Sequence, residues 1–122
     1  MTDATTTLAT LRQRVAAFVD ERAWNVYHTP KSLSMSIAIE AAELMEHFQW
    51  HGNESSRRVA TQPAVHTEVA DELADVLIYC LALANSLEID VSKALLAKLA
   101  RNESRFPPNQ PPSRYRLPDP QD

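Results

Sequence analysis

Residues 72–87 read ELADVLIYCLALANSL. Glu72 and Asp75 stand three apart, and a nine-residue apolar run, 76–84, follows at once. Nine apolar residues are too few to cross a bilayer, which needs about 20 in a helix. The same run is too apolar for the exposed face of a surface element. It reads as the most buried part of a helix spanning about 64–87, with Asp75 placed where that helix enters the core. Apolar surface on several sides of one helix is more than a single small chain covers, so a homodimer or homotetramer is expected.

The choice of helix over strand rests on composition. The chain holds one glycine, Gly52, in 122 residues. Tight hairpin turns draw on glycine for positive φ, so a β-rich fold is disfavoured and an all-α fold is expected. Working outward, apolar residues recur at helical spacing at Leu8, Leu11, Val15, Phe18 and Val19, giving a helix over about 8–24. A second spans about 33–50, with Thr29 or Ser32 as its cap and Pro30 suited to its first turn. A polar connection, HGNESSRRVATQP, precedes the 64–87 helix. After a short LEID corner, a last helix runs over about 91–105, capped by Asp90. Four helices in one chain of this length imply a four-helix bundle, completed by oligomerisation.

The expected organisation is a flexible N-terminus at 1–7, one helical domain at 8–106 and an extended Pro-rich tail at 107–122. Six of the eight prolines fall in that tail and exclude helix there. The single cysteine, Cys80, excludes an intrachain disulfide and a Cys-rich zinc site. No basic region followed by an apolar stretch opens the chain, so a cytoplasmic location is expected. A formal net charge of −4 without a Lys/Arg block disfavours binding to a nucleic-acid polymer. An acidic protein that handles phosphates needs divalent cations between the like charges.

Residues three and four apart share a helix face. Ser36, Glu40, Glu43 and His47 form one such line, and Glu68, Glu72, Asp75 and Tyr79 another. A single glutamate on a helix is ordinarily a solvated surface group. Here E-x-x-E and E-x-x-D occur on successive helices, each flanked by strongly apolar residues. Antiparallel packing would bring four carboxylates together, and they would repel one another unless cations intervened. An all-oxygen donor set suits Mg²⁺ or Mn²⁺ better than zinc. A di-iron bundle would pair glutamates with E-x-x-H motifs, and no histidine of this chain stands three after a Glu.

Trp24, Tyr27 and His28 precede the second helix and Trp50 ends it, where aromatics either plug a bundle or stack on a base. Lys98, Asn102 and Arg105, spaced four and three, put two cations and an amide on one face, suited to phosphate oxygens or to a solvated helix end.

Taken together, these residues resemble the MazG-type all-α nucleoside triphosphate pyrophosphohydrolases, and within them the dCTP pyrophosphatase branch. The signature reads Glu40-Ala-Ala-Glu43, then 28 residues, then Glu72-Leu-Ala-Asp75. The segments ERAWNVYHTPKSL, ELMEHFQW, DELADVLIYCLALA and KLARNESRFP resemble that branch in order and spacing. The resemblance implies metal ligation by Glu40, Glu43, Glu72 and Asp75, with Mg²⁺ as cofactor and Mn²⁺ as substitute. It implies nucleotide contacts from Trp24, Asn25, His28, Trp50, Tyr79, Lys98, Asn102 and Arg105. The implied reaction is Mg²⁺-dependent hydrolysis of dCTP or a modified dCTP to the monophosphate and pyrophosphate. Val15 stands where some relatives carry a histidine that contacts the nucleotide, which bears on base or sugar preference. The alternatives are a related all-α phosphohydrolase acting on dUTP or phosphoribosyl-ATP, and a non-catalytic helical oligomerisation module.

Overall fold

The computed structural model describes residues 1–109, and the described residues form helices, turns and loops without a strand. The expected extended tail lies outside them from residue 110 onward. Five α-helices follow one another: α1 Leu8–Glu21, α2 Pro30–Glu46, the short α3 Asn53–Arg57, α4 Pro63–Ser86 and α5 Val91–Arg105. Two 3-10 turns, Trp24–Val26 and Arg58–Thr61, sit between them.

Local chemistry accounts for the helix ends. The Thr7 hydroxyl accepts from the Thr10 amide at 3.1 Å and starts α1. Thr29 does the same for α2, accepting from the Ser32 amide at 3.2 Å, with Pro30 in the first turn. Asp90 caps α5 through the Lys93 amide at 2.9 Å. Each such cap satisfies an amide that has no intrahelical partner, and replacing one by alanine costs ~1 kcal/mol.

Helix ends that composition leaves unmarked are set by left-handed residues. Ala23 (φ 55°) stops α1 and Glu88 (φ 53°) stops α4, although neither is glycine. Gly52 has φ −73° and serves instead as the residue before α3. The second helix ends at Glu46, four residues before Trp50, because the backbone tightens. The amides of His47 and Phe48 reach back only three residues, to the Leu44 and Met45 carbonyls.

α4 is the centre of the packing, with α2 along most of one side and α1 along another. Leu33 on α2 is the most buried large side chain, 1% exposed, and Val19, Val59, Leu81, Ala82 and Ala84 complete the closed core. Between α1 and α4, Arg12 Nε donates to Asn85 Oδ1 at 3.0 Å, and Asn85 Nδ2 donates to the Arg12 carbonyl at 3.1 Å. α5 makes at most marginal contact with the other elements among the described residues. Its Leu95, Leu96 and Leu99 are exposed, as are Met35, Ile39 and Met45 on α2 and Leu73, Leu77 and Ile78 on α4. The four helices expected from the sequence are all present, but α1, α2 and α4 pack together while α5 stands apart.

Candidate metal and nucleotide site

Contacts between α2 and α4 run in opposite senses along the two helices. Glu40 lies beside Glu72, and His47 Nδ1 lies 3.9 Å from Glu68 Oε2. His28, just before α2, faces Tyr79 with ring centroids 6.3 Å apart. Rising numbers on one side meet falling numbers on the other, so the pair is antiparallel. That register brings both acidic lines onto the same seam.

Glu40, Glu43 and Glu72 each offer a carboxylate oxygen, and the three oxygens lie within 4.8 Å of one another. Glu40 Oε2 and Glu72 Oε2 are buried without a hydrogen-bond partner among the described residues. An orphaned buried oxygen is costly, and an orphaned buried anion is more so. The response is visible in the acidities. Burial, then a hydrogen bond and the charge of Glu43, with Asp75 and Glu72 adding, push Glu40 up to about 7. Glu72 is pushed up by burial, the Glu43 carboxylate and Asp75, while His47 pulls it down. A hydrogen bond between two carboxyl groups needs a proton on one of them, so it favours the neutral form. Asp75 is exposed and lies outside the tight trio, close enough for its charge to act on both glutamates.

This donor set fits a hard divalent cation. It is all oxygen, convergent from two helices, and has two lone oxygens that nothing among the described residues satisfies. A cation between the carboxylates would reverse the push on their acidities and remove their mutual repulsion.

Beyond the acids, aromatic rings line up from α1 to α4. Phe18 meets Trp24 edge-on at 5.5 Å, Trp24 lies 6.1 Å from His28, and His28 continues to Tyr79. The Arg22 guanidinium sits 3.8 Å above the opposite partner, Phe18. His28 Nδ1 is buried and has no hydrogen-bond partner among the described residues. Asn25 Nδ2 donates to Asp20 Oδ1 at 2.6 Å. Tyr79 is one helical turn beyond Asp75, so this aromatic row adjoins the acids along α4.

The other expected contacts are placed differently. Trp50 is 88% exposed on the turn after α2 and stacks on no ring among the described residues. Lys98, Asn102 and Arg105 lie on α5, apart from the seam. No hydrogen bond or ion pair among the described residues joins them to the carboxylates. Sequence reasoning did not single out Asp20 or Asn85, and the only signal for Asn85 is a polar side chain directly after the 76–84 apolar run.

The MazG-like family model matches residues 35–111, which include both acidic motifs. The chain belongs to the MazG-like family. It is 37% identical over 101 residues to dCTP pyrophosphatase 1 of Rattus norvegicus, and 36% identical to the Homo sapiens protein of that name. Each alignment covers 83% of this chain, which spans only 59% of the length of those relatives. It is also similar to a pyrophosphatase of known crystal structure from Archaeoglobus fulgidus, at 37% identity and a TM-score of 0.73. That alignment covers 88% of this chain and 98% of the archaeal one. The all-helical architecture is thus that of a MazG-like protein. No helix among the described residues is long and apolar enough to cross a membrane.

Proposed function

We propose that the protein hydrolyses a deoxynucleoside triphosphate, dCTP or a modified dCTP, to the monophosphate and pyrophosphate. The observation that carries this reading is the carboxylate trio on the α2–α4 seam, with two buried oxygens left unsatisfied. The names of the relatives supply the substrate class.

Glu40, Glu43, Glu72 and Asp75 would hold Mg²⁺, with Mn²⁺ as substitute. The bound cation supplies charge neutralisation for the triphosphate and polarises the attacking water. The chain's own residues provide position. Trp24, His28 and Tyr79 form one aromatic row, Asn25 shares a cavity wall with His28, and these four would receive the base and sugar, while the exposed Trp50 would form a further wall against the base. Glu43 neighbours both Glu40 and Glu72 and is our choice for accepting the proton of the attacking water. Water attacks at the α-phosphorus, and pyrophosphate leaves with its oxygens held by Lys98, Asn102 and Arg105.

Those three residues stand on a helix that leaves its apolar face bare, so the complete site requires assembly. We propose a homodimer or homotetramer in which the faces of α2, α4 and α5 are covered by other copies.

The test is incubation with each deoxynucleoside triphosphate and Mg²⁺, reading pyrophosphate and orthophosphate separately. Pyrophosphate with a monophosphate supports the reading. Orthophosphate alone, or no turnover of any nucleotide, overturns it.

A further inference from the structure

A cavity of about 200 Å³ opens between α1, the Trp24–Val26 turn and α4. It is smaller than the ~300–1,000 Å³ pockets that enclose whole drug-sized ligands. Its size therefore suits one aromatic ring entering edge-first, with the remainder of the ligand outside. Val15, Ala16, Val19 and Ala82 give it apolar walls, and Asp20, Asn25, His28 and Asn85 give it polar ones.

The polar groups have distinct states. Asn85 is already committed, through both its amide atoms, to Arg12. His28 Nδ1 is buried with no partner among the described residues, in a wall of a cavity that adjoins the aromatic row. Asp20 uses Oδ1 to accept from Asn25 at 2.6 Å, which fixes the carboxylate and leaves its remaining lone pairs for a ligand. No ion pair among the described residues involves Asp20. A carboxylate held in this way has acceptor capacity and no donor. It matches an exocyclic amino group, as in the pairing of Asp or Glu with the cytosine N4 amine, and it repels a carbonyl oxygen at the same place.

Position along α4 connects this cavity to the acids. Asp75, Tyr79, Ala82 and Ser86 recur at intervals of four, three and four, so the acids and the cavity share one helix face. From Asp75 to Ala82 the helix rises ~10 Å. A ligand whose phosphates lie at the acids therefore extends its ring along α4 into the cavity.

We propose that this cavity takes the edge of the nucleobase and that Asp20, set by Asn25, is the residue that selects an amino-bearing pyrimidine over its keto counterpart. The inference rests on the pyrophosphohydrolase reading for its ligand class. It adds a specificity-determining residue that the metal and aromatic sets do not contain.

Two measurements test it. Wild-type, Asp20→Asn and Asn25→Ala proteins are assayed for kcat/KM with dCTP and dUTP under Mg²⁺, and binding of dCMP and dUMP is measured by calorimetry. Asp20 is exposed, so its substitution should leave the helical circular dichroism unchanged. The expected result is a dCTP preference in the wild type that falls roughly 10- to 100-fold in Asp20→Asn, as loss of one base-edge pairing dictates. The loss should appear mainly in KM, with dCMP binding weakened in parallel and dUMP binding held or improved by the new amide donor. Asn25→Ala should give a smaller change in the same direction. Turnover with an unaltered dCTP-to-dUTP ratio in Asp20→Asn overturns the proposal while leaving the hydrolase reading intact. No turnover, with dCMP still preferred over dUMP through Asp20, overturns the hydrolase reading and supports the pocket. No discrimination in either measurement overturns the pocket.

Discussion

Glu40 on α2 and Glu72 on α4 face each other across one seam, each with a buried carboxylate oxygen that finds no partner among the described residues. Two such groups on a seam that is otherwise packing surface make the fold less stable than an apolar seam would be. Proteins accumulate this kind of local cost where function demands it. The cost also makes the cluster testable, because function and stability respond to its removal in opposite directions.

Glu40→Gln and Asp75→Asn should each lower kcat/KM at least ~100-fold if they ligate the metal that stabilises developing phosphoryl charge. The helical circular dichroism should persist in both. In the metal-free protein, Glu40→Gln should raise Tm, because it removes a charge that burial and three neighbouring acids oppose. Retained activity in both variants would rule out the metal assignment. A lower Tm for metal-free Glu40→Gln would show that the carboxylate supports the fold instead.

The pH dependence carries a definite sign. Glu40 is raised from 4.5 to about 7 in the folded, metal-free chain, so the folded state holds its proton more tightly than the unfolded state. Its contribution to stability is complete below about 4.5 and is lost as pH rises through about 7. Glu72, raised for related reasons, acts in the same direction. In EDTA, Tm should therefore fall between pH 5 and pH 8, and saturating Mg²⁺ should abolish most of that fall. A metal-free Tm that is flat over this range would contradict the carboxylate geometry.

The same acidities predict proton release. At about pH 6.5 a share of the Glu40 groups is protonated, and a cation must displace those protons. Calorimetric heats of Mg²⁺ binding should then vary with the ionisation enthalpy of the buffer near pH 6.5 and lose that dependence near pH 8.5. Heats independent of buffer at both values would mean that the cation binds elsewhere.

Much of this was legible in the sequence because helical periodicity reports both packing and chemistry. The pairs Glu40/Glu43 and Glu72/Asp75 announce a shared face, and the 76–84 run marks α4 as central. The helix over 91–105 was placed by its Asp90 cap, and the entry to α2 was marked by Thr29 and Pro30, since caps and prolines are strong local signals. The features that were not legible depend on tertiary context. α3 and its 3-10 turn sit in a polar stretch with no apolar period, held locally by Arg57–Glu54 and by Val59 entering the core. The early end of α2 follows from a switch to three-residue hydrogen bonds that no glycine or proline marks. Asp20 reads as an ordinary acid at a helix end until its bond to Asn25 and its place on a cavity wall are seen.

Asn85 is a structural counterpart to the acids. It makes two hydrogen bonds with Arg12 across the α1–α4 contact, both partly buried. Asn85→Ala would leave the Arg12 guanidinium and carbonyl short of partners, at a cost of ~1–3 kcal/mol. Urea denaturation should show a lower midpoint with an unchanged m-value. An unchanged midpoint would mean that water replaces both bonds without loss.

Assembly is the last expectation and the one on which the α5 residues depend. Leu96 is 67% exposed, Ile39 58% and Leu77 52%, on three different helices. Bare leucine and isoleucine on that many faces are unusual for a chain that works alone. Sedimentation equilibrium should give a dimer or tetramer, and Leu96→Glu should shift it toward smaller species by placing a charge in an apolar contact. If Lys98, Asn102 and Arg105 meet the phosphates only in the assembly, that variant should also lose pyrophosphate release while its isolated helices persist. A wild-type chain that sediments as a monomer and is fully active would refute both the assembly and the role given to α5.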